Sequence, residues 1–324
     1  MSRRNFAQSS LADAFVKAYS RGGGFLQDLL ETINWAAIDA LFAQINANTK
    51  GAPGYPPLVM FKIVLLQQWY NLSDPAAEEA VRDRLSFRRF CGAPLDCETP
   101  DHSSIWRFRQ MIDKLGLSEK LLEEVNRQLD ARGLIVKRGT LVDATIIAAA
   151  VARLALRGRP SQRPRPRRLF HHQEWRDLFR LQGASGGGRG QRDRAQVVTR
   201  LAEMSSADLH DSQRGEAMIQ GDEQAYYGDK AYDSKALRAT LTEQGIDDKI
   251  AYKAQRNKPL VHWQKWFNRT ASSVRVGVER SNATMKRWYG MARVRYLGLA
   301  RNNCHLQFVV CAMNMKRALV LLAA

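Results

Sequence analysis

Along the first 130 residues, apolar side chains recur at the spacing of amphipathic helices, with turn residues between them. One helix is predicted to begin at Pro56-Pro57 and to carry the apolar stretch Leu58–Leu66, because proline suits the first helical turn. A second is predicted from Asp74-Pro75, and a third where Asp101 or Ser103 can cap the following segment. Residues 1–132 are therefore expected to form an all-α N-terminal domain.

The pattern changes after Gly133, where short β-branched and aromatic runs begin to alternate with helical segments. Strands are predicted at Leu134–Val136, Thr140–Ile147, Gln196–Leu201, Gln224–Asp229 and Lys249–Tyr252. Helices are predicted at Gln213–Ile219, Ser234–Glu243, Asn268–Tyr289 and Asn303–Leu321. This alternation indicates an α/β core over residues 133–324.

Residues 153–194 interrupt that pattern. The segment contains GRPSQRPRPRR and GASGGGRGQR, which are rich in arginine, proline and glycine and have no helical or strand period. The sequence predicts an irregular loop or disorder here.

The net charge of +18 and the pI near 10.1 narrow the choice of partners. Such a surplus attracts polyanions, most often nucleic acid. Residues 151–200 contribute ten of these charges, with 13 Arg against three acids, so the rest of the chain is still basic by eight. A double-stranded DNA partner is the expectation that follows.

The N-terminal sequence, the lengths of the apolar runs and the cysteine spacing indicate in which cellular compartment the protein is found. The N-terminus has no apolar signal segment, and polar residues interrupt the apolar runs before they reach membrane-spanning length. The four cysteines lack zinc-ligand spacing and are expected to be reduced thiols. A cytoplasmic protein is predicted, with no membrane partner.

Three acids have unusual local settings. Asp143 interrupts an apolar strand, where an unpaired charge is costly, and Asp229 follows a strand at a Gly-Asp-Lys turn. Glu279 lies in a predicted helix with Arg275 four residues before it and Lys286 seven after, a spacing that places all three on one face. Converging carboxylates suit phosphoryl transfer with two divalent ions, because Mg²⁺ prefers hard oxygen ligands. Taken singly, a strand Asp can be structural and an Arg-x-x-x-Glu pair can be a surface ion pair.

The segments around these acids are LVDATII, YYGDKAYDS and RVGVERSNATMKRWYGMARVRYLGLARN. They resemble the three catalytic blocks of bacterial insertion-sequence DDE transposases, most of all the insertion-sequence-five group. The last block of that group has a Tyr-x₂-Arg-x₃-Glu-x₆-Lys pattern, which Arg275, Glu279 and Lys286 match, while Ser272 replaces the Tyr. YPPLVMFKIVLLQQWYNLSD and TPDHSSIWRFR resemble the N-terminal helical region of the same family.

The resemblance implies an RNase H-like catalytic core and cutting and rejoining of DNA at element ends. It implies that Asp143, Asp229 and Glu279 are the catalytic acids and bind two Mg²⁺ or Mn²⁺ ions. Arg275 and Lys286 would then hold DNA phosphate. The implied partners are the terminal inverted repeats and the target DNA, with a homo-oligomer on DNA at the bacterial nucleoid. Asp233 is expected to cap a helix rather than bind metal.

Cations alternate with aromatic rings after Glu279, as on a nucleic-acid-binding surface. The residues concerned are Lys286, Arg287, Trp288, Tyr289, Arg293, Arg295 and Tyr296. Trp288 and Tyr296 could instead belong to the core. In the N-terminal domain, DNA-end contacts or a solvated helix face would equally explain Arg82, Arg84, Arg88, Arg89, Arg107 and Arg109.

An RNase H-like sheet starts with three antiparallel strands, and the segment 153–194 offers no alternating run for the second. Two compensating reading-frame shifts would explain the abrupt change in composition, and an Arg-rich DNA-binding insertion is the alternative. Two other hypotheses remain open: a catalytically impaired relic that only binds DNA, and a nuclease that hydrolyses DNA without joining it.

Overall fold

The computed structural model describes residues 4, 6, 24–45, 54–135, 140–148, 170–180, 196–206, 215–254 and 256–323. Its elements, in chain order, are α1 (Phe25–Thr32), α2 (Trp35–Leu41), a 3₁₀ turn (Phe42–Gln44), α3 (Pro57–Tyr70), α4 (Asp74–Asp83), α5 (Leu85–Cys91), α6 (His102–Lys114), α7 (Leu117–Ala131), β1 (Thr140–Ala148), β2 (Phe170–Arg180), β3 (Gln196–Ser206), a 3₁₀ turn (Glu216–Met218), β4 (Ala225–Tyr227), α8 (Lys235–Glu243), β5 (Asp247–Asp248), α9 (His262–Trp288) and α10 (Leu299–Leu322). They fall into two compact units, Met1–Leu134 with Cys304–Ala324, and Ile135–Asn303.

The described part of the first unit is helical, as predicted. Pro57 begins α3, the Ser73 side chain caps α4, and Asp101 caps α6 by accepting a hydrogen bond from the Ser104 N–H at 2.9 Å. The centre of α3 is buried on nearly all sides, and Phe61 packs against Phe42 and Phe308. Packing of this apolar helix stabilises the unit.

The residues of α10 from Cys304 onward belong to this first unit. By length and composition Leu299–Leu322 could span a membrane, but 67% of its apolar window is buried inside the protein. A core helix of a soluble protein has the same property. The sequence-based division assigned these residues to the catalytic domain, 133–324, whereas the structure packs them with the helical unit. DNA-end binding by the N-terminal domain and catalysis by the second domain stay predictions.

The second unit contains one five-stranded sheet, in the order β3-β2-β1-β4-β5. Strands β1, β2 and β3 are antiparallel neighbours, whereas β4 is parallel to β1 and β5 is parallel to β4. The three antiparallel strands at the start of the sheet agree with the expectation from the sequence. Strand β1 is central, and its Leu141, Val142 and Ile147 are buried.

The prediction of an irregular segment over residues 153–194 is wrong for β2. Residues 170–180 pair with β1 from Thr140↔Leu178 to Ala148↔Phe170, and with β3 on their other side. A strand between two partners gains a ladder on both edges, and this can replace the missing alternation of side chains. The frameshift hypothesis therefore loses its structural argument, and residues 153–169 and 181–194 lie outside the described residues.

Smaller differences concern element bounds. Leu134 and Ile135 are not in a strand, and Val136 lies outside the described residues. The strand predicted at Lys249–Tyr252 is wrong by a few residues, because β5 pairs with β4 through Asp247 and Asp248. Only a 3₁₀ turn forms in the described part of Gln213–Ile219, and Gln213 and Arg214 lie outside it. The two last helices begin earlier than predicted, at His262 and Leu299.

The pairing of β2 can be tested at Trp175, which stands opposite Asp143 on one side and Ala202 on the other. Trp175→Pro removes a backbone donor from the sheet, and we expect a loss of about 1–3 kcal/mol in unfolding free energy. Urea unfolding measures it, with Trp175→Val as the matched control that keeps the N–H. Equal stability of the two variants would show that residues 170–180 do not form a central strand.

Candidate active site

Of the three predicted acids, Asp143 lies on β1, and Asp229 lies just after the end of the adjacent parallel strand β4. Thr140 and Leu141 of β1 pair with Tyr226 and Tyr227 of β4. Asp143 lies two residues after Leu141, and Asp229 lies two residues after Tyr227. The register therefore brings the two carboxylates to neighbouring positions on strands about 4.8 Å apart.

The turn that carries Asp229 is tight. A Cβ at Gly228 would lie 3.2 Å from Tyr232 Cβ and 3.3 Å from Tyr226 Cε1, so this position accepts little more than glycine. The Asp229 carboxylate accepts a hydrogen bond from the Ala231 N–H, and its carbonyl accepts one from the Tyr232 N–H at 3.0 Å. These bonds fix the turn at the end of β4.

Helix α9 supplies the partners of Asp143. Arg275 Nη2 donates to Asp143 Oδ1 at 3.1 Å, and Asn282 Nδ2 donates to Asp143 Oδ2 at 2.9 Å. Arg275, Glu279, Asn282 and Lys286 are spaced by four, three and four residues and so share one face of the helix. Asn282 was not predicted from the sequence, although its spacing from Arg275 and Glu279 matches the helical period.

The charges of Asp229 and Glu279 both act on the Asp143 carboxyl. Burial raises the pKa of the Asp143 carboxyl, the Arg275 charge lowers it, and the Asp229 charge raises it again. The hydrogen bond from Asn282 lowers this pKa, and Glu279 raises it. Burial likewise lowers the pKa of Lys286, while the Asp143 charge opposes that shift. Asp143 therefore interacts with Asp229, Glu279, Arg275 and Lys286.

The donor set fits a hard divalent cation. The like charges of Asp229 and Glu279 disfavour ionised Asp143, and a cation between them would remove that repulsion. The Asn282 Oδ1 atom is buried and has no hydrogen-bond partner, so another neutral oxygen lies beside Asp143. Over the described ranges, no three His, Cys, Asp or Glu side chains stand close enough to hold a metal as they are. The charges of Asp229 and Glu279 thus act on Asp143, but the three side chains do not surround a single metal position.

Asp233 has another role than the predicted helix cap. The cap of α8 is Ser234, whose Oγ accepts from the Leu237 N–H at 3.1 Å. Asp233 instead pairs with Arg238 at 3.0 Å, and Arg238 also pairs with Asp248. The pairs connect α8 to the turn after β4 and to β5.

The predicted DNA-contacting residues differ in exposure. Trp288 is 66% exposed, and the Arg287 guanidinium stands 5.6 Å from its ring centroid, so the alternative of a core Trp288 is wrong. Tyr289, by contrast, is buried.

In the helical unit Arg88 and Arg109 are buried. Arg88 donates to two backbone carbonyls, and Arg109 pairs with Asp74 at 2.5 Å. The exposed arginines of that set are Arg82, Arg84, Arg89 and Arg107.

Two family models match the chain. One is described as a Transposase DDE domain and matches residues 136–315, more than half of the chain. The other is described as a Transposase domain (DUF772) and matches residues 12–111. The first match contains Asp143, Asp229 and Glu279, and the second lies within the helical unit.

Thermal unfolding at varied pH can test the charge balance of the site without an activity assay. A carboxyl with a raised pKa favours the folded state below its unfolded pKa, and this contribution is lost as the pH rises through the folded pKa. At pH 7 in EDTA, Asp143→Asn should therefore melt above the wild type, and the difference should vanish below about pH 4.

Millimolar Mg²⁺ or Mn²⁺ should then raise the melting temperature of the wild type but not that of Asp143→Asn, because only the native site gains a ligand. Ca²⁺ and Na⁺ at matched ionic strength separate site binding from screening. A variant that is stabilised by Mg²⁺ as strongly as the wild type would remove Asp143 from the metal site.

Proposed function

This chain belongs to the DDE transposase family and is a DNA transposase, and from that premise we propose that Asp143, Asp229 and Glu279 are its catalytic acids. Enzymes of this family cleave and transfer DNA strands with divalent metal ions. The observation that carries the proposal is the register of β1 and β4, which sets Asp143 beside Asp229. The contact of Asp143 with the Glu279 face of α9 supports it.

The three carboxylates would hold two Mg²⁺ or Mn²⁺ ions. Such a pair of ions stabilises charge on the attacking and leaving oxygens of an in-line displacement at phosphorus. The chain itself positions the acids, and α9 orients Asp143 through Arg275 and Asn282. The side chains of Arg275 and Lys286 would bind the phosphate oxygens beside the bond that breaks, and Arg287 and Trp288 would contact the adjoining nucleotides.

The reaction has two displacements. A water attacks the phosphate at the element end, the P–O bond breaks, and a 3′-hydroxyl is released. That hydroxyl then attacks a phosphorus of the target DNA: a new P–O bond joins the element end to the target strand, the target's own P–O bond breaks, and the target's 3′-oxygen leaves and takes up the proton. Lys286 is half-buried and carries a charge beside Asp143, so it can hold the scissile phosphate near the acids in both steps.

The sheet supports the finer fold proposal of an RNase H-like core. Its first three strands are antiparallel, its first acid lies on the first strand, and the second acid follows the neighbouring parallel strand. We also propose membership of the insertion-sequence-five group, with exposed Ser272 in place of the Tyr of the last block.

Double-stranded DNA is the partner that the charge and the family support. The proposed sequences are the terminal inverted repeats and the target site, bound by a homo-oligomer at the nucleoid in the bacterial cytoplasm. For the helical unit we propose binding of the element ends, with the exposed arginines Arg82, Arg84, Arg89 and Arg107 as the phosphate contacts.

Cleavage of a duplex that carries the flanking element ends tests the acids directly. Asp143→Asn, Asp229→Asn and Glu279→Gln should each reduce cleavage by at least about 100-fold, because each removes a carboxylate that would hold the divalent ions. Binding to the ends in EDTA should persist.

Asp233→Asn is the matched control, since it changes a nearby acid whose partner is Arg238 rather than Asp143. It should cleave like the wild type. Normal cleavage by any of the three active-site variants would exclude that acid from the site. Binding without cleavage by the wild type would indicate a relic, and cleavage without strand joining would indicate a nuclease.

A further inference from the structure

Helix α9 has a second polar face, adjacent to the one that faces Asp143. Lys265, Arg269, Arg280 and Arg287 are all exposed and are separated by four, eleven and seven residues. At 3.6 residues per turn these positions fall within an arc of roughly 60°. They form a row of cations along one side of the helix, two at each end of a gap of eleven residues, here named the α9 ridge.

The α9 ridge has no acid within it. The side chains between its cations on the solvent side include Ser272, Ser273 and Ala283, and the helix carries a single carboxylate, Glu279, on the face toward the site. In the portion of the chain that the structure describes, none of the four ridge cations forms an ion pair. Exposed cations of a solvated helix face commonly alternate with acids, and these do not.

The length of the ridge matches a piece of DNA backbone. Lys265 and Arg287 are 22 residues apart, which corresponds to about 33 Å along a helix axis. Successive phosphates on one strand of B-DNA advance about 3.4 Å along the axis, so the ridge spans roughly ten base pairs. Glu279 lies beside the ridge. About two thirds of the length of the ridge lies between Glu279 and the N-terminus of α9.

We propose that the α9 ridge lies along duplex DNA for about one helical turn, next to the phosphate that is cut, and binds backbone phosphates at the points where either strand faces it. The proposal rests on the assignment of the acids as the DNA-cleaving site. The recognised chemistry is that of backbone phosphates, because a row of cations with no acid among them complements a polyanion. The ridge thus aligns the duplex with the long axis of α9 and fixes the direction in which it leaves the site.

Salt-dependent binding to a 30-base-pair mixed-sequence duplex tests the ridge in EDTA, so that no cleavage occurs. The ridge variant combines Lys265→Gln, Arg269→Gln and Arg280→Gln and leaves the residues assigned to the site unchanged. The control variant combines Lys120→Gln, Arg132→Gln and Lys235→Gln, which removes the same charge from exposed positions elsewhere. Fluorescence anisotropy gives Kd between low and moderate salt.

The log–log salt slope should become shallower by about three units in the ridge variant, with affinity lower by on the order of 100-fold at 0.1 M salt. The control variant should keep nearly the wild-type slope. Equal losses in both variants would show that only net charge matters, and an unchanged ridge variant would show that DNA does not contact this face. Either result overturns the proposal.

The same assay separates this proposal from the assignment of the catalytic acids. If the ridge variant loses DNA binding and the wild type never cuts DNA in Mg²⁺, the DNA-binding role of the ridge is supported and the proposed reaction is refuted. If the wild type cuts DNA and the ridge variant binds DNA as well as the wild type does, the reaction is supported and the role of the ridge is refuted. Circular dichroism of all three proteins confirms that the surface substitutions leave the fold intact.

Discussion

The parallel pairing of β1 with β4 is the constraint on which the site depends. It brings Asp143, on β1, next to Asp229, two residues beyond the end of β4, where two negative charges repel each other in a half-buried setting. The protein keeps this arrangement because Arg275 and Asn282 donate to both oxygens of Asp143. Removal of either donor would leave a desolvated carboxylate short of partners, which is costly in a folded protein.

Strand β1 can hold this position because it is paired on both edges. Its antiparallel partner β2 and its parallel partner β4 leave the central strand no freedom to shift its register, and a shift of one residue would turn Asp143 to the other face of the sheet. Gly228 lies in the turn after β4, where a Cβ would be in tight contact with Tyr232 and Tyr226. Backbone geometry thus determines where the two acids meet, and α9 adds the third.

Much of this could be predicted from the sequence, for reasons visible at particular residues. An acid within an apolar strand is expensive, so Asp143 stood out, and the four- and seven-residue spacings identified the face of α9. Strand β2 was not predicted because its sequence does not alternate between apolar and polar residues. The strand forms through pairing with β1 and β3, which are distant in the sequence. Asn282 was missed because an amide in a helix carries no charge signal. Burial of Arg88 and Arg109 depends on contacts distant in the sequence, such as the pair with Asp74.

The charge of α9 follows from two opposing requirements. In the proposed site, three carboxylates suit divalent cations but would repel the DNA phosphates that approach them. An ordinary amphipathic helix with mixed charges would add to that repulsion, whereas α9 carries six Lys or Arg residues and only Glu279 as an acid. Coulomb interactions between exposed charges fade beyond about 10 Å in physiological salt, so distant charges of the basic chain cannot compensate. Cations close to the acids can compensate, and α9 carries three of them, Arg275, Arg280 and Lys286, within seven residues of Glu279, or about 10 Å along the helix axis.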